Sequence, residues 1–192
     1  MAAPPSARRP ALALAGALAM VAVALLAYRS AQTPLGVIRD CRSCSVKGQN
    51  LARGWVNVPP GDAWAVSLVP GGGAVVQGPA RFEAAGGGRI ALSSGTVFAA
   101  ATSGRVIVLL PRDLNAGVEG ATVGTAASGT RVAMAATAEG NRVEVRAGQS
   151  VVAATTGEKK LSSGESWQTG KPPVVPQPDA DETRWLDQVT RP

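Results

Sequence analysis

Two cysteines three positions apart, Cys41 and Cys44, are the residues best suited to chemistry in this chain of 192 residues. A Cys-x-x-Cys pair serves as a thiol–disulfide redox motif, as half of a zinc site, or as a local structural disulfide. A structural zinc site needs four ligands, and the chain offers two cysteines and no histidine, so zinc is excluded. Covalent haem attachment needs a histidine directly after the second cysteine, where Ser45 stands. A redox pair usually opens a helix, whose N-terminus lowers the pKa of the first thiol. The residues after Cys44, SVKGQNLARG, do not read as a helix, although Arg42 and Lys47 would favour a thiolate. In an oxidising, exported compartment a disulfide is the expected state. Cys41–Cys44 therefore reads first as a structural disulfide and second as an exchanging one.

The lack of histidine reaches further. It removes the usual general base, the Ser/His and Cys/His nucleophile pairs, and the commonest metal ligand. The glycine-rich run at residues 120–130, GATVGTAASGT, lacks the Gly-Lys-Ser/Thr ending of a phosphate-binding loop and reads as turn and strand. Asp179, Asp181 and Glu182 follow a proline-rich stretch and read as the charged start of a helix, capped by Asp181, rather than as a catalytic dyad. Trp55, Trp64 and Trp167 sit at strand positions, where core or rim packing is favoured over lining a groove. The chain thus reads as a non-enzyme with no cofactor and no metal site.

The net charge is +6, but Arg8, Arg9 and Arg29 flank an apolar run near the start. Without those three, 16 basic residues face 13 acidic ones, a net of +3 with no basic run, so nucleic acid is not an expected partner. Residues 10–28, PALALAGALAMVAVALLAY, carry no charge and are near the roughly 20 residues that cross a bilayer as a helix. The basic pair before them favours a cytoplasmic tip (residues 1–9), an inner-membrane single-pass anchor and a periplasmic remainder. The competing reading is a cleaved signal peptide. Ala22-Val23-Ala24 offers small residues, but later positions place arginine where a small residue is wanted.

Residues 29–53 read as a linker carrying the cysteine pair. Residues 54–168 read as the folded domain, organised around residues 89–167. Short β-branched runs recur there, each closed by a glycine turn: 54–58, 63–69, 74–77, 80–83, 89–92, 96–101, 105–110, 121–125, 130–138, 142–146, 149–155 and 159–161. Gly78-Pro79 fits a bulge or corner, Ser94-Gly95 and Ser103-Gly104 fit tight turns, and residues 111–120 fit a longer loop. Residues 142–146, RVEVR, alternate charge and valine as a half-buried antiparallel strand does. Together they predict an all-β antiparallel sandwich or open barrel. Residues 169–192 read as a proline-rich spacer and a short helix over 179–189, whose Trp185, Leu186 and Val189 form an apolar face that docks on the β domain or, as the second reading, binds a partner.

In order along the chain, Leu92-Ser93-Ser94-Gly95-Thr96-Val97, Gly129-Thr130-Arg131-Val132, residues 143–151 (VEVRAGQSV, with Gly148) and Leu161-Ser162-Ser163-Gly164-Glu165 resemble the FecR domain. The upstream AWAVSLVPGGGAVVQGPARFE is similar to that family's opening strands. The resemblance covers residues 54–168 and marks Gly95, Gly129, Thr130, Gly148 and Gly164 as motif residues. It implies a periplasmic all-β sensor domain on an inner-membrane anchor. Family members typically relay a signal from an outer-membrane receptor to a cytoplasmic sigma factor through a cytoplasmic N-terminal domain. Nine residues before the apolar run are too few to fold as such a domain, and Val132 stands where the family often has an aromatic. The expected role is therefore a binding or signalling module for an envelope protein partner, with exposed strand edges as the binding mode. A structural envelope protein and a thiol–disulfide protein using Cys41 and Cys44 are the alternatives.

Overall fold

The computed structural model describes residues 34–69, 72–101, 105–111, 114–119, 129–154, 157–171 and 173–189. The expected anchor at residues 10–28, the turn at Ser103-Gly104 and the strand at 121–125 lie outside them. Among the described residues no helix is long and apolar enough to cross a membrane.

The strands are β1 (Gly36–Cys41), β2 (Val56–Val58), β3 (Ala63–Leu68), β4 (Gly73–Gly86), β5 (Arg89–Ala101), β6 (Arg105–Leu110), β7 (Leu114–Glu119), β8 (Thr130–Ala136), β9 (Gly140–Ala147), β10 (Gln149–Ala154), β11 (Gly157–Ser162) and β12 (Ser166–Gly170). One helix, α1 (Ala180–Val189), follows. The strands are joined in one 12-stranded sheet along the path β1-β3-β4-β5-β6-β7-β10-β11. From this path β2 branches off β4, and β8, β9 and β12 branch in turn off β5. The all-β expectation holds at that level. The pairing is not wholly antiparallel, because β5 and β6 run parallel through Arg89↔Ile107, Ile90↔Val108 and Ala91↔Leu109.

That parallel pair explains how the sheet curves. The 12 steps of β5 from Arg89 to Ala101 would span about 40 Å if straight. The six residues from Ala101 to Ile107 reach at most about 21 Å. Ile107 nevertheless pairs with Arg89, so β5 must bend back on itself. The bend sits at Gly95, where the sequence led us to expect a tight turn between two strands. Ser94-Gly95 does not reverse the chain; β5 runs through it with Gly95 at φ +105°. Opposite it, β4 passes through Gly78-Pro79, and the register slips between Gln77↔Thr96 and Arg81↔Ser94. Three residues of β4 thus face one of β5, the bulge-type corner that a Gly-Pro step inside a strand predicts.

Three further strands lie where none was expected. β1 occupies part of the supposed linker. Its Gly36, Val37 and Ile38 pair with Leu68, Ser67 and Val66 of β3, and Ile38 is buried. β7 occupies the supposed loop at 111–120, where weak intrinsic preference is overridden by partners on both sides, β6 and β10. β12 pairs with β9 just past the last expected strand.

The apolar side chains form two clusters on opposite sides of the central strands. The larger holds Trp64, Val66, Val76, Phe82, Ile90, Leu92, Val97, Val106, Met134, Val143, Val152 and Leu161. The smaller holds Ala63, Ala65, Val75, Phe98, Ala100, Ala133 and Ala135 from β3, β4, β5 and β8, covered by Val175, Trp185, Leu186 and Val189. Strands buried on both faces lose their polar alternation, and this is why AWAV in β3, FAAA in β5 and VAMAA in β8 read as nearly continuous apolar runs.

Candidate functional site

A connected cluster of polar groups lies where the Cys41–Cys44 loop touches the start of α1. Cys41 and Cys44 form a disulfide, with a Cα–Cα distance of 5.7 Å, within the ordinary range for such a bridge. Both cysteines are half-buried and pack against the main core. The loop between them is tied down by Asp62, which is 5% exposed. Its Oδ1 accepts from the backbone N–H of Arg42 (3.1 Å), Ser43 (3.0 Å) and Ala63 (2.8 Å). Its Oδ2 accepts from the Trp64 indole at 2.9 Å. Burial alone would push the Asp62 pKa up. The indole and the three backbone donors outweigh it and hold the carboxyl below its usual 3.8.

Arg42 lies inside the disulfide loop and points at α1. Its guanidinium forms an ion pair with Asp179 and a second, at 3.2 Å, with Glu182 Oε1. Gln77 Nε2 of β4 donates to the same oxygen at 3.2 Å. Glu182 is fully buried, and its other oxygen accepts from the Asp179 N–H at 3.0 Å. Asp179 Oδ1 accepts in return from the Glu182 N–H at 2.8 Å. This reciprocal pair is a capping box. The cap is therefore Asp179 and not Asp181, which instead pairs with Arg184 one turn on, at 2.8 Å. Burial, reinforced by the nearby Asp179 charge, raises the Glu182 pKa above 4.5 against the opposing pull of the Asp179 N–H, Arg42 and Gln77.

The helix seats closely at one end and loosely at the other. A Cβ on Gly73 of β4 would lie 2.5 Å from Val189 Cβ, so only glycine lets the helix end come this near. Nearer its start, a cleft of about 410 Å³ remains between α1 and the sheet, lined by Phe98, Arg131, Arg146, Pro178, Thr183 and Leu186. Arg146 bonds Gln177 and donates to the Pro176 carbonyl at 3.2 Å, holding the proline-rich stretch to β9.

The motif glycines do not converge on one site. Gly148, at φ +73°, packs on Thr130; a Cβ there would lie 2.5 Å from Thr130 Oγ1 and 2.9 Å from its Cα. Gly129, the neighbour of Thr130, leads into β8. Gly95 sits at the β4–β5 corner, where a Cβ would lie 2.6 Å from Ala80 Cα. Gly164, at φ +86°, turns β11 into β12 with open space beside it. These residues shape turns and close approaches; they do not assemble a reactive centre. The tryptophans are also dispersed. Trp64 packs edge-on against Phe82 at 6.3 Å, Trp55 is 46% exposed beneath the Arg81 guanidinium, and Trp167 is half-buried against the main core. None of the three lines the open groove of about 650 Å³ at the β4–β5 corner, whose walls include Pro59, Pro79, Gly95, Ala136 and Val174.

Sequence reasoning missed Asp62 and the Arg42–Glu182 contact. The first had a signal, an aspartate closing a Pro-Pro-Gly turn. The second had half of one, the Asp-x-x-Glu spacing of a capping box at 179 and 182.

No protein-family model matches the chain, and no curated protein matches it significantly. Among solved structures, it is similar to a crystal structure of a candidate anti-sigma factor from Parabacteroides distasonis. The TM-score is 0.47 and the identity 14%, over 62% of this chain and 60% of that one. The chain thus spans less than two thirds of that protein.

Proposed function

We propose that this chain is a FecR-like, membrane-anchored module of the cell envelope that binds a protein partner along the edge of β12 and serves signalling rather than catalysis. The observation that carries this reading is how the four edge strands among the described residues are finished. β1 is covered by the chain that follows it, through Ile38 N–H to Gln49 O and Leu51 N–H to Gly36 O, both 2.9 Å. β2 is three residues long. β11 exposes Glu158, Lys159 and Lys160. Short length, cover and charge are the usual guards against edge pairing. β12, SWQTG, is five residues long, carries no charged side chain and, among the described residues, pairs only with β9. Such an edge suits an added strand from a partner, with main-chain bonds giving affinity and alternate side chains giving specificity. The anchor rests on the apolar run at 10–28, and the non-enzymatic reading on a chain without histidine.

The test is in-cell photo-crosslinking from Ser166 and Gln168 on β12 and from Lys159 on the guarded edge, with products identified by mass spectrometry. The reading predicts one dominant protein partner from β12 and little from Lys159. Self-crosslinks or peptidoglycan-linked products alone, or equal yields from both edges, would favour a structural envelope protein.

A further inference from the structure

We infer that the Cys41–Cys44 disulfide is a redox latch for α1: reduction of the bond releases the helix from the sheet face it covers. Three observations carry this. Arg42 lies within the disulfide loop and is the cation that meets the buried Glu182 carboxylate and the capping Asp179. The face under α1 is built of Ala63, Ala65, Ala100, Ala133 and Ala135, with Val75 and Phe98, so the large side chains that hold the helix are mainly its own Trp185, Leu186 and Val189. A cleft of about 410 Å³ opens between the start of α1 and the sheet.

The coupling is steric and then electrostatic. A dithiol reductant attacks one sulfur, forms a mixed disulfide, and leaves as its own cyclic disulfide. It gives up two electrons and two protons, and Cys41 and Cys44 become thiols. Bonded sulfurs lie about 2 Å apart, whereas non-bonded ones need roughly 3.5 Å. The two sulfurs therefore swing apart, and the four-residue loop that carries Arg42 loses its covalent closure. Asp62 still holds the Arg42 and Ser43 N–H groups, so the change falls on the side chains of the loop, the Arg42 guanidinium among them. Once the guanidinium loses its geometry, Glu182 is left as a buried carboxylate short of its cation. That arrangement is relieved when the helix lifts and the carboxylate reaches water.

Amide hydrogen exchange of the full chain, oxidised and after treatment with a dithiol, tests this. Thiol labelling confirms the state of the bond in each sample. The inference predicts that amides of Ala180–Val189 exchange at least roughly tenfold faster after reduction, while those of β8 do not change. It also predicts that Arg42→Ala shows the fast helix exchange even when oxidised, and that reduction then adds little. Unchanged helix exchange in the reduced protein would overturn the latch. So would equal acceleration of helix and β8, which would make the bond a staple for the whole fold. If Arg42→Ala does not fold, Glu182→Gln replaces it, and loss of most of the redox difference is the expected result.

Discussion

The two faces of the central strands are built on different principles. The inner face packs Phe82, Ile90, Leu92, Val97 and Met134, large side chains that interlock across strands distant in sequence. The outer face is made mostly of alanines and receives three side chains from one ten-residue helix. An isolated helix of that length is marginal in water, so α1 depends on its seat. The inner face is stabilised by burial that no single contact controls. The outer cover depends on a few identifiable contacts: Trp185, the close approach at Gly73, and the Arg42–Glu182–Asp179 cluster. The difference teaches that one strand set can carry a large interlocked core on one side and a small core closed by a single helix on the other.

Substitutions on the two faces should sort accordingly. Val132→Asp places an unpaired charge in the main core at a residue 2% exposed. It should cost more than about 4 kcal/mol and abolish the cooperative thermal transition. A stable, soluble variant would contradict the assignment of β8 to the core. Gly95→Ala should cost about 3 kcal/mol, since it combines φ +105° with overlap on Ala80. Gly164→Ala, at a positive φ but in open space, should cost only about 1 kcal/mol. Chemical denaturation of the pair compares the corner with an ordinary turn, and equal losses would count against the corner. Trp185→Ala removes the main anchor of the cover. A fully buried tryptophan would cost about 3–5 kcal/mol, but a separable helix caps the loss of global stability nearer 2 kcal/mol. The larger change should be in helix content by circular dichroism.

The two buried carboxylates give the cover a pH dependence with opposing signs. The folded pKa of Asp62 is lowered, so its stabilisation is present above its usual 3.8 and is lost as pH falls through the folded value. The folded pKa of Glu182 is raised, so its contribution is fully present below 4.5 and is lost as pH rises through the folded value. Helix seating should therefore strengthen on mild acidification and weaken again in stronger acid, when the cysteine loop loses Asp62. Glu182→Gln should remove the first limb and keep the second, with a net change at neutral pH within about 1 kcal/mol. Thermal melts across the acid range, read by circular dichroism, check both limbs.

Much of this architecture is legible in the chain. The β-branched runs between glycines give the strands, Gly78-Pro79 marks the corner, and Trp185, Leu186 and Val189 mark the docking face of α1. What was not legible depended on partners far away in sequence. β1 looks like a linker until β3 is beside it. Gly95 looks like a hairpin turn because a bend and a reversal use the same residue. Asp62 is ordinary until the N–H groups of residues 42 and 43, 20 and 19 positions earlier, converge on it. The cysteine pair was read as local, and its bond is local; its reach to α1 goes through Arg42, 137 residues from Asp179.

The most direct test of a separable cover is limited proteolysis of the dithiol-reduced full chain by subtilisin under native conditions, beside the oxidised chain as reference, with fragments identified by mass spectrometry. The account predicts early cleavage within Ala180–Val189, leaving a long-lived β fragment that keeps its strand signal and unfolds cooperatively at a lower temperature. Digestion to small peptides with no such fragment would show that helix and sheet open as one unit, and would contradict it.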